Sequence, residues 1–449
     1  EQRSRFLPDL WEWANILIYT RSKQWAASQR RMMRVANRFH VTRLIGVIAL
    51  VLTGIFGYRE VRGRLEARSA VRQVVQTEIR ALPGMLKELA PVERWATPML
   101  RSIVAGNGPE TNDGLRARLA LLHRDAAFTD DAVAALLTAR PNDVGALREL
   151  LRSRVETVSP RLWALALDFR QPQAIRLHAA AALAGMDPRH SSWAKIDRQA
   201  AEWLAGESAS SLAIWMDLFQ PVAGRLAPAL REIFADGANA ERAMAAAIIL
   251  ADFAEKNSPL LAELTALATP AQLRVLLPAL RRNPVTNGGA LRDLFNPELP
   301  ADGDEAQKDS HARQQANVAL ALLDLGRDAL VWPLYKFNPD PRLRVRIIHQ
   351  AAPGGVSANV FLKRLEAEPD AAIRRALLLT LADYPPSSLP LEGERGLIRR
   401  VEDLYRHDAD AGVHSIAEWV LTHWGQQSRV EALRDELKAQ APTQERNWF

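Results

Sequence analysis

DAAIRRALL, residues 370–378, opens on an aspartate, places an aliphatic residue three positions on and follows it with an arginine. The same order recurs in DPRLRVRII (340–348) and DAGVHSIAE (410–418), which aligns Asp340, Asp370 and Asp410, then Leu343, Ile373 and Val413, then Arg344, Arg374 and His414. An aspartate ahead of a helix can accept hydrogen bonds from the free N–H groups of its first turn. The aliphatic residue then faces a shared core, and the basic one reaches the carbonyls or the acid of the previous repeat. This ladder predicts HEAT-like helical repeats, an α-solenoid.

Upstream, AIRLHAAAALAGMDP (174–188) aligns with AERAMAAAIILADFA (240–254) at an offset of 66, room for two helix pairs of about 33 residues each. From about Gly63 to Gln440 the chain is rich in Ala, Leu and Arg, without the alternating Val/Ile/Thr pattern of strands, and is punctuated by Pro, Asp and Gly. An all-α protein is expected. PELPADGDEAQKDSHA (297–312) is polar, acidic and aperiodic and predicts a flexible insertion. The expected division is a first array over 60–296, the insertion over 297–312, a second array over 313–440 and a linker over 441–449.

A different kind of segment precedes the repeats. RLIGVIALVLTGIFGYR, residues 43–59, places fifteen uncharged residues between two arginines, nine of them Leu, Ile, Val or Phe. As a helix these fifteen cover only about 22 Å, short of the roughly 30 Å hydrocarbon core of a bilayer. Composition outweighs the deficit: the nine large apolar residues are worth about −3 to −5 kcal/mol at the centre of an inserted helix. Leu44, Val47, Val51 and Phe56 point in different directions around the helix, leaving no polar face for a core helix to turn to water. Arg43 and Arg59 can snorkel from the two ends, with Tyr58 at an interface. A single transmembrane helix is expected, the alternative being a buried helix that caps the array of a soluble protein. A cleaved signal peptide does not fit, because the apolar run begins more than forty residues in and no small-residue cleavage site follows it. Ala49, Thr53 and Gly57 form a small-residue stripe that would allow helix association in lipid and hence a homo-oligomer.

Residues 1–72 hold 14 Lys and Arg against 5 Asp and Glu, net +9; subtraction from the totals of 58 and 52 leaves 44 against 47, net −3, for the remainder. The basic charge therefore brackets the apolar run. A nucleic-acid protein would carry it on a face of the folded domain, so no nucleic-acid partner is expected. In KQWAASQRRMMRVANRFHVTR (23–43), Arg30, Arg34 and Arg38 follow one another on one face while Trp25, Met32, Met33, Ala36 and Phe39 recur on another. Residues 1–42 thus read as a basic amphipathic segment suited to anionic lipid headgroups, or equally as a helix packed on an upstream domain. LPDLWEWANILIY (7–19) can be interfacial or part of such a domain. Arg31, Arg62, Arg64, Arg68 and Arg72 bring the positive-inside count close to balance across the run. Glu1 in place of Met suggests a segment of something longer.

No enzyme chemistry is encoded in recognisable form. There is no glycine-rich phosphate loop with a following Lys-Ser/Thr, no HRD-like loop and no DFG triplet. Zero cysteines exclude thiolate zinc sites, disulfides and Cys nucleophiles, and no cofactor is expected. The nearest metal constellation is His407, Asp408, Asp410, His414 and His423, but Asp410 and His414 already hold places in the repeat ladder. His178 and His349 lie within apolar helices and read as core or groove residues.

The stretches LPDLWEWANILIYTRSKQWAASQRRMMRVANR, RWATPMLR, RQQANVALALLDLGRDALVWPLYKFNPDPRLRVRIIHQAAP, EPDAAIRRALLLTLADYP and GVHSIAEWVLTHWGQ resemble the middle region of large bacterial proteins of the planctomycete type. In that family an amino-terminal Ser/Thr kinase or STAND-type NTPase module is joined, through a membrane helix and HEAT-like repeats, to a formylglycine-generating-enzyme-like (sulfatase-modifying-factor) domain. The resemblance covers most of the chain. It implies that the chain stops near Asn447, Trp448 and Phe449, where that last domain would begin, and holds neither catalytic neighbour. The copper-binding cysteine pair of an active formylglycine-generating enzyme is missing as well. The resemblance implies a non-catalytic scaffold in the bacterial inner membrane, amino terminus in the cytoplasm, linking a signalling module to a sensor or ligand-binding module and offering its repeat surface to a protein partner. A membrane-disrupting effector of a defence system is the alternative from another class.

Overall fold

The computed structural model describes residues 7–300, 302–385 and 391–439. About 80 % of the chain is helical, and the described residues contain no strand. The protein is all-α. Its contacts divide it into two compact units, residues 1–158 and 159–449.

In the first unit the helices are α1 (Leu10–Tyr19), α2 (Ala27–Gln76), α3 (Leu82–Leu89), α4 (Glu93–Gly106), α5 (Asn112–Leu121), α6 (Thr129–Leu137) and α7 (Pro141–Leu151), and the boundary falls within α8 (Val155–Leu167). A reciprocal cap starts α1: the Glu12 N–H donates to Asp9 Oδ1 at 2.7 Å and the Asp9 N–H to Glu12 Oε2 at 3.1 Å. Helix α2, fifty residues and so about 75 Å long, is held at both ends and not in the middle. Its last turns bury Gly63, Ala67, Val71, Val74 and Val75 while packing on α3, α4 and α5. Gly63 is required there: a Cβ would come within 2.7 Å of the Trp95 ring. Arg116 Nη1 donates to the Val75 carbonyl at 2.6 Å, satisfying one of the free acceptors at the end of α2.

The second unit continues through α9 (Gln173–Met186), α10 (Asp197–Ala205), α11 (Ala209–Phe219), α12 (Ala223–Ala235), α13 (Ala240–Phe253), α14 (Ser258–Leu267), α15 (Pro270–Arg282) and α16 (Pro284–Leu294). It then runs through α17 (Glu305–Asp324), α18 (Arg342–Gln350), α19 (Ala358–Ala367), α20 (Ala371–Ala382), α21 (Leu391–His407), α22 (Ala411–His423) and α23 (Gln427–Ala439). Helices here pack on the next but one: α10 on α12, α13 on α15, α18 on α20, α20 on α22. Alanine-rich segments supply the enclosed helices, since small side chains let neighbours approach from all sides. Residues 176–184 of α9 are buried without interruption, and so are 315–323 of α17. At the offset of 66, Leu177, Ala180, Ala181, Leu183 and Ala184 correspond to Ala243, Ala246, Ala247, Ile249 and Leu250, and all ten are buried.

The stretch 297–312 differs from the flexible insertion expected there. Helix α17 begins at Glu305 behind a reciprocal cap, with the Gln307 N–H donating to Asp304 Oδ1 at 2.7 Å and the Asp304 N–H to Gln307 Oε1 at 3.1 Å. Its first turns are polar because their acids pair with the next helix, Glu305 with Arg342 and Asp309 with Arg346. Helix α17 packs on α14, α15 and α16 as well as on α18, so the contacts run on across the expected break between arrays. Asn317, fully buried, donates its side-chain amide to the Ala266 and Ala268 carbonyls at 3.2 and 2.7 Å. The expected linker 441–449 lies outside the described residues.

Candidate membrane segment and inter-helix ladder

Every residue from 42 to 59 on α2 is exposed, an eighteen-residue run about 27 Å long. Leu50 is 75 % exposed and Phe56 62 %. Among the described residues, no other helix covers the run. Helix α2 is the one helix among those described that is long and apolar enough to cross a membrane. Side chains lean towards a helix's amino terminus, so Arg43 leans out of the run, over the Phe39 ring at 4.7 Å. Val61 and Leu65, both exposed, continue the apolar surface past Arg59. Tyr58 is exposed beside Arg59. Ala49 and Thr53 are exposed, the Thr53 hydroxyl bonded to the Ala49 carbonyl at 2.8 Å, and Gly57 has open space around it.

Ahead of the run, α1 folds back on α2. Met33, Ala36 and His40 are buried there, His40 Nε2 lies 2.9 Å from the Pro8 carbonyl oxygen, and the Trp13 ring sits 5.3 Å from the His40 ring. Arg30, Arg34 and Arg38 stay exposed. Sequence reading saw these arginines but missed the hairpin, because the contact joins residues some thirty positions apart. Trp13 and His40, a polar residue among apolar neighbours, were its only signals.

The ladder residues are arranged around the helix starts. Asp370 Oδ1 accepts from the Ala372 and Ile373 N–H groups (2.9 and 3.4 Å), and Asp410 Oδ1 accepts from Val413 at 2.8 Å. Asp340 lies one residue further out: Pro341 holds the cap position of α18, and Asp340 Oδ1 accepts from the Arg342 N–H at 3.1 Å. Arg344 Nε donates to the Tyr335 carbonyl at 3.0 Å, and His414 Nδ1 lies 2.7 Å from the Tyr405 carbonyl, the same nine-residue reach backwards. Arg374 departs from the pattern. It donates to the Glu368 and Pro369 carbonyls and reaches forwards to Asp408, with Nε 2.8 Å from Oδ2. Both side chains are largely buried, Arg374 17 % and Asp408 6 % exposed. Burial pushes the Asp370 carboxyl up, but Lys336 and the two N–H groups outweigh it and hold it below its usual range.

Three ion pairs, Arg198–Glu232, Lys336–Asp370 and Arg374–Asp408, and the contact of His349 Nδ1 with Asp383 Oδ2 at 2.9 Å each join residues 34 apart. The metal constellation is not assembled. Asp408 holds Arg374, the His414 ring stacks on Tyr405, the His423 ring stacks on Trp419, and no three such groups among the described residues are placed to hold an ion. His178 packs edge-on against Trp215. No protein-family model matches the chain, and comparison with curated proteins returns no match.

Proposed function

We propose that this protein is a single-pass, membrane-anchored helical-repeat scaffold whose second unit is a HEAT-like α-solenoid. The observation that carries the reading is the exposed apolar run 42–59, continuous with a helix whose last turns are packed into a folded unit. Water is a poor solvent for the fifteen uncharged residues between Arg43 and Arg59, nine of them large and apolar, and a bilayer is the environment that matches them on all sides. The contacts between alternate helices and the pairs spaced by 34 residues support a repeat build, in which each unit touches its neighbours and a long surface is left for partners. The quoted motifs support a place in the bacterial inner membrane between a kinase or NTPase module and a carboxyl-terminal sensor or ligand-binding module, with the amino terminus in the cytoplasm. The chain itself is read as non-catalytic.

Reconstitution of the full chain into dye-filled liposomes separates this from its rivals. The scaffold predicts retention in the bilayer at alkaline pH with the dye held in. Dye release would favour the defence effector, whose helices would associate through Ala49, Thr53 and Gly57. A monodisperse preparation without lipid or detergent would favour the soluble repeat protein.

A further inference from the structure

The α1–α2 hairpin contains a cleft of about 450 Å³ whose lining includes Leu17, Lys23, Trp25, Met33, Arg30 and Arg34. Its walls are fixed in advance. The Trp25 indole N–H donates to Thr20 Oγ1 at 3.0 Å, and Arg30 bridges the turn, Nε to the Trp25 carbonyl at 2.9 Å and Nη2 to the Lys23 carbonyl at 3.3 Å. The charge has no ion-pair partner among the described residues. Residues 7–43 carry seven Lys and Arg against two acids, Asp9 and Glu12, which are both engaged in the cap of α1. No carboxylate among the described residues lies within ion-pair distance of any of the seven. The outer face is apolar and aromatic: Trp11, Ile18 and Tyr19 of α1 and Val35 of α2 are exposed.

We propose that this hairpin is a docking site for acidic phospholipid headgroups, seated in the cleft between Lys23, Trp25, Arg30 and Arg34. Guanidinium groups match phosphate oxygens, and exposed Trp and Tyr are residue types enriched at membrane–water interfaces. The site rests on the membrane reading above, since the apolar run delivers the hairpin to the surface. It adds a requirement for lipid charge that an anchor alone does not have.

The test is hydrogen exchange on the full chain in nanodiscs of phosphatidylcholine, alone or mixed with phosphatidylglycerol. Amides of residues 9–40 should gain protection in the acidic discs only. Arg30→Gln with Arg34→Gln should reduce that gain by roughly twentyfold, each cation near an anionic surface being worth about fivefold, while residues 43–59 stay protected. Equal protection in both lipids, or a gain untouched by the double variant, would overturn the proposal. So would the same gain from inorganic phosphate in neutral discs, which would assign the cleft to a free anion. Free exchange at 43–59 in both discs would sink the anchor and the headgroup site together.

Discussion

Two apolar helical segments of this protein meet opposite fates. Residues 42–59 of α2 are exposed throughout, whereas 315–323 of α17 are buried without a break. The first is built of Leu, Ile, Val and Phe pointing every way. The second, QANVALALL, alternates small and large residues and contains a glutamine and an asparagine. Neighbouring helices can close around alanines, and a buried Asn is tolerable where its amide meets carbonyls, as Asn317 does. The longer and greasier segment is thus the one that no other described helix covers.

The sharpest way to break this comparison is to charge the exposed segment. Leu50→Arg with Val51→Arg places two guanidiniums mid-run at about 2.5–3.5 kcal/mol each, enough to offset the whole apolar gain. Alkaline extraction should release the variant from liposomes, with the melting of the second unit unchanged. Retention in the bilayer would mean that the run is not what holds the protein there.

Inside the second unit, Ile373→Asp buries a carboxylate at a position 3 % exposed and should cost several kcal/mol in chemical denaturation. The neighbouring Arg374→Ala should cost about 3 kcal/mol rather than a surface residue's fraction, because it strips the cation from the largely buried Asp408. A loss below 1 kcal/mol would place that pair in solvent.

Asn317→Ala tests whether the packing is continuous across 297–304. The carbonyls of Ala266, in the last turn of α14, and of Ala268, just after it, would lose their donor, at about 1–3 kcal/mol, and hydrogen exchange should rise in α14 and α17 together. Exchange confined to α17 would restore the two separate arrays.

The smallest effect belongs to the first unit. A hydrogen bond from Arg124 holds the Glu93 carboxyl down to about 2 from 4.5, against the opposing push of burial, and His123 adds to it. A depressed acid contributes stability that is complete above pH 4.5 and fades as the pH falls towards 2. For a partly exposed pair this is about 1 kcal/mol. Glu93→Gln should flatten the acid limb of the melting curve by that much, and an unchanged limb would show the pair to be idle.

The all-α fold was legible in the sequence because its signals are local. Aspartate caps at 370 and 410, aliphatic residues three positions on and alanine-rich turns each act within one helix. The apolar run was legible for the same reason. What local pattern could not supply was partners. Arg374 reads as a step towards the previous repeat, yet its acid is 34 residues ahead; the polar start of α17 reads as a loop, yet Arg342 and Arg346 complete it. The basic stripe of α2 was plain, but the cleft that gathers Lys23, Trp25 and Arg30 forms only when α1 folds back and His40 meets Pro8. Composition and spacing set which segments become helices and which face is apolar. Which faces are covered, and which stay open for a membrane or a partner, was decided by contacts between residues tens of positions apart, where loop closure and the fit of side chains outweigh any pattern in the neighbouring letters.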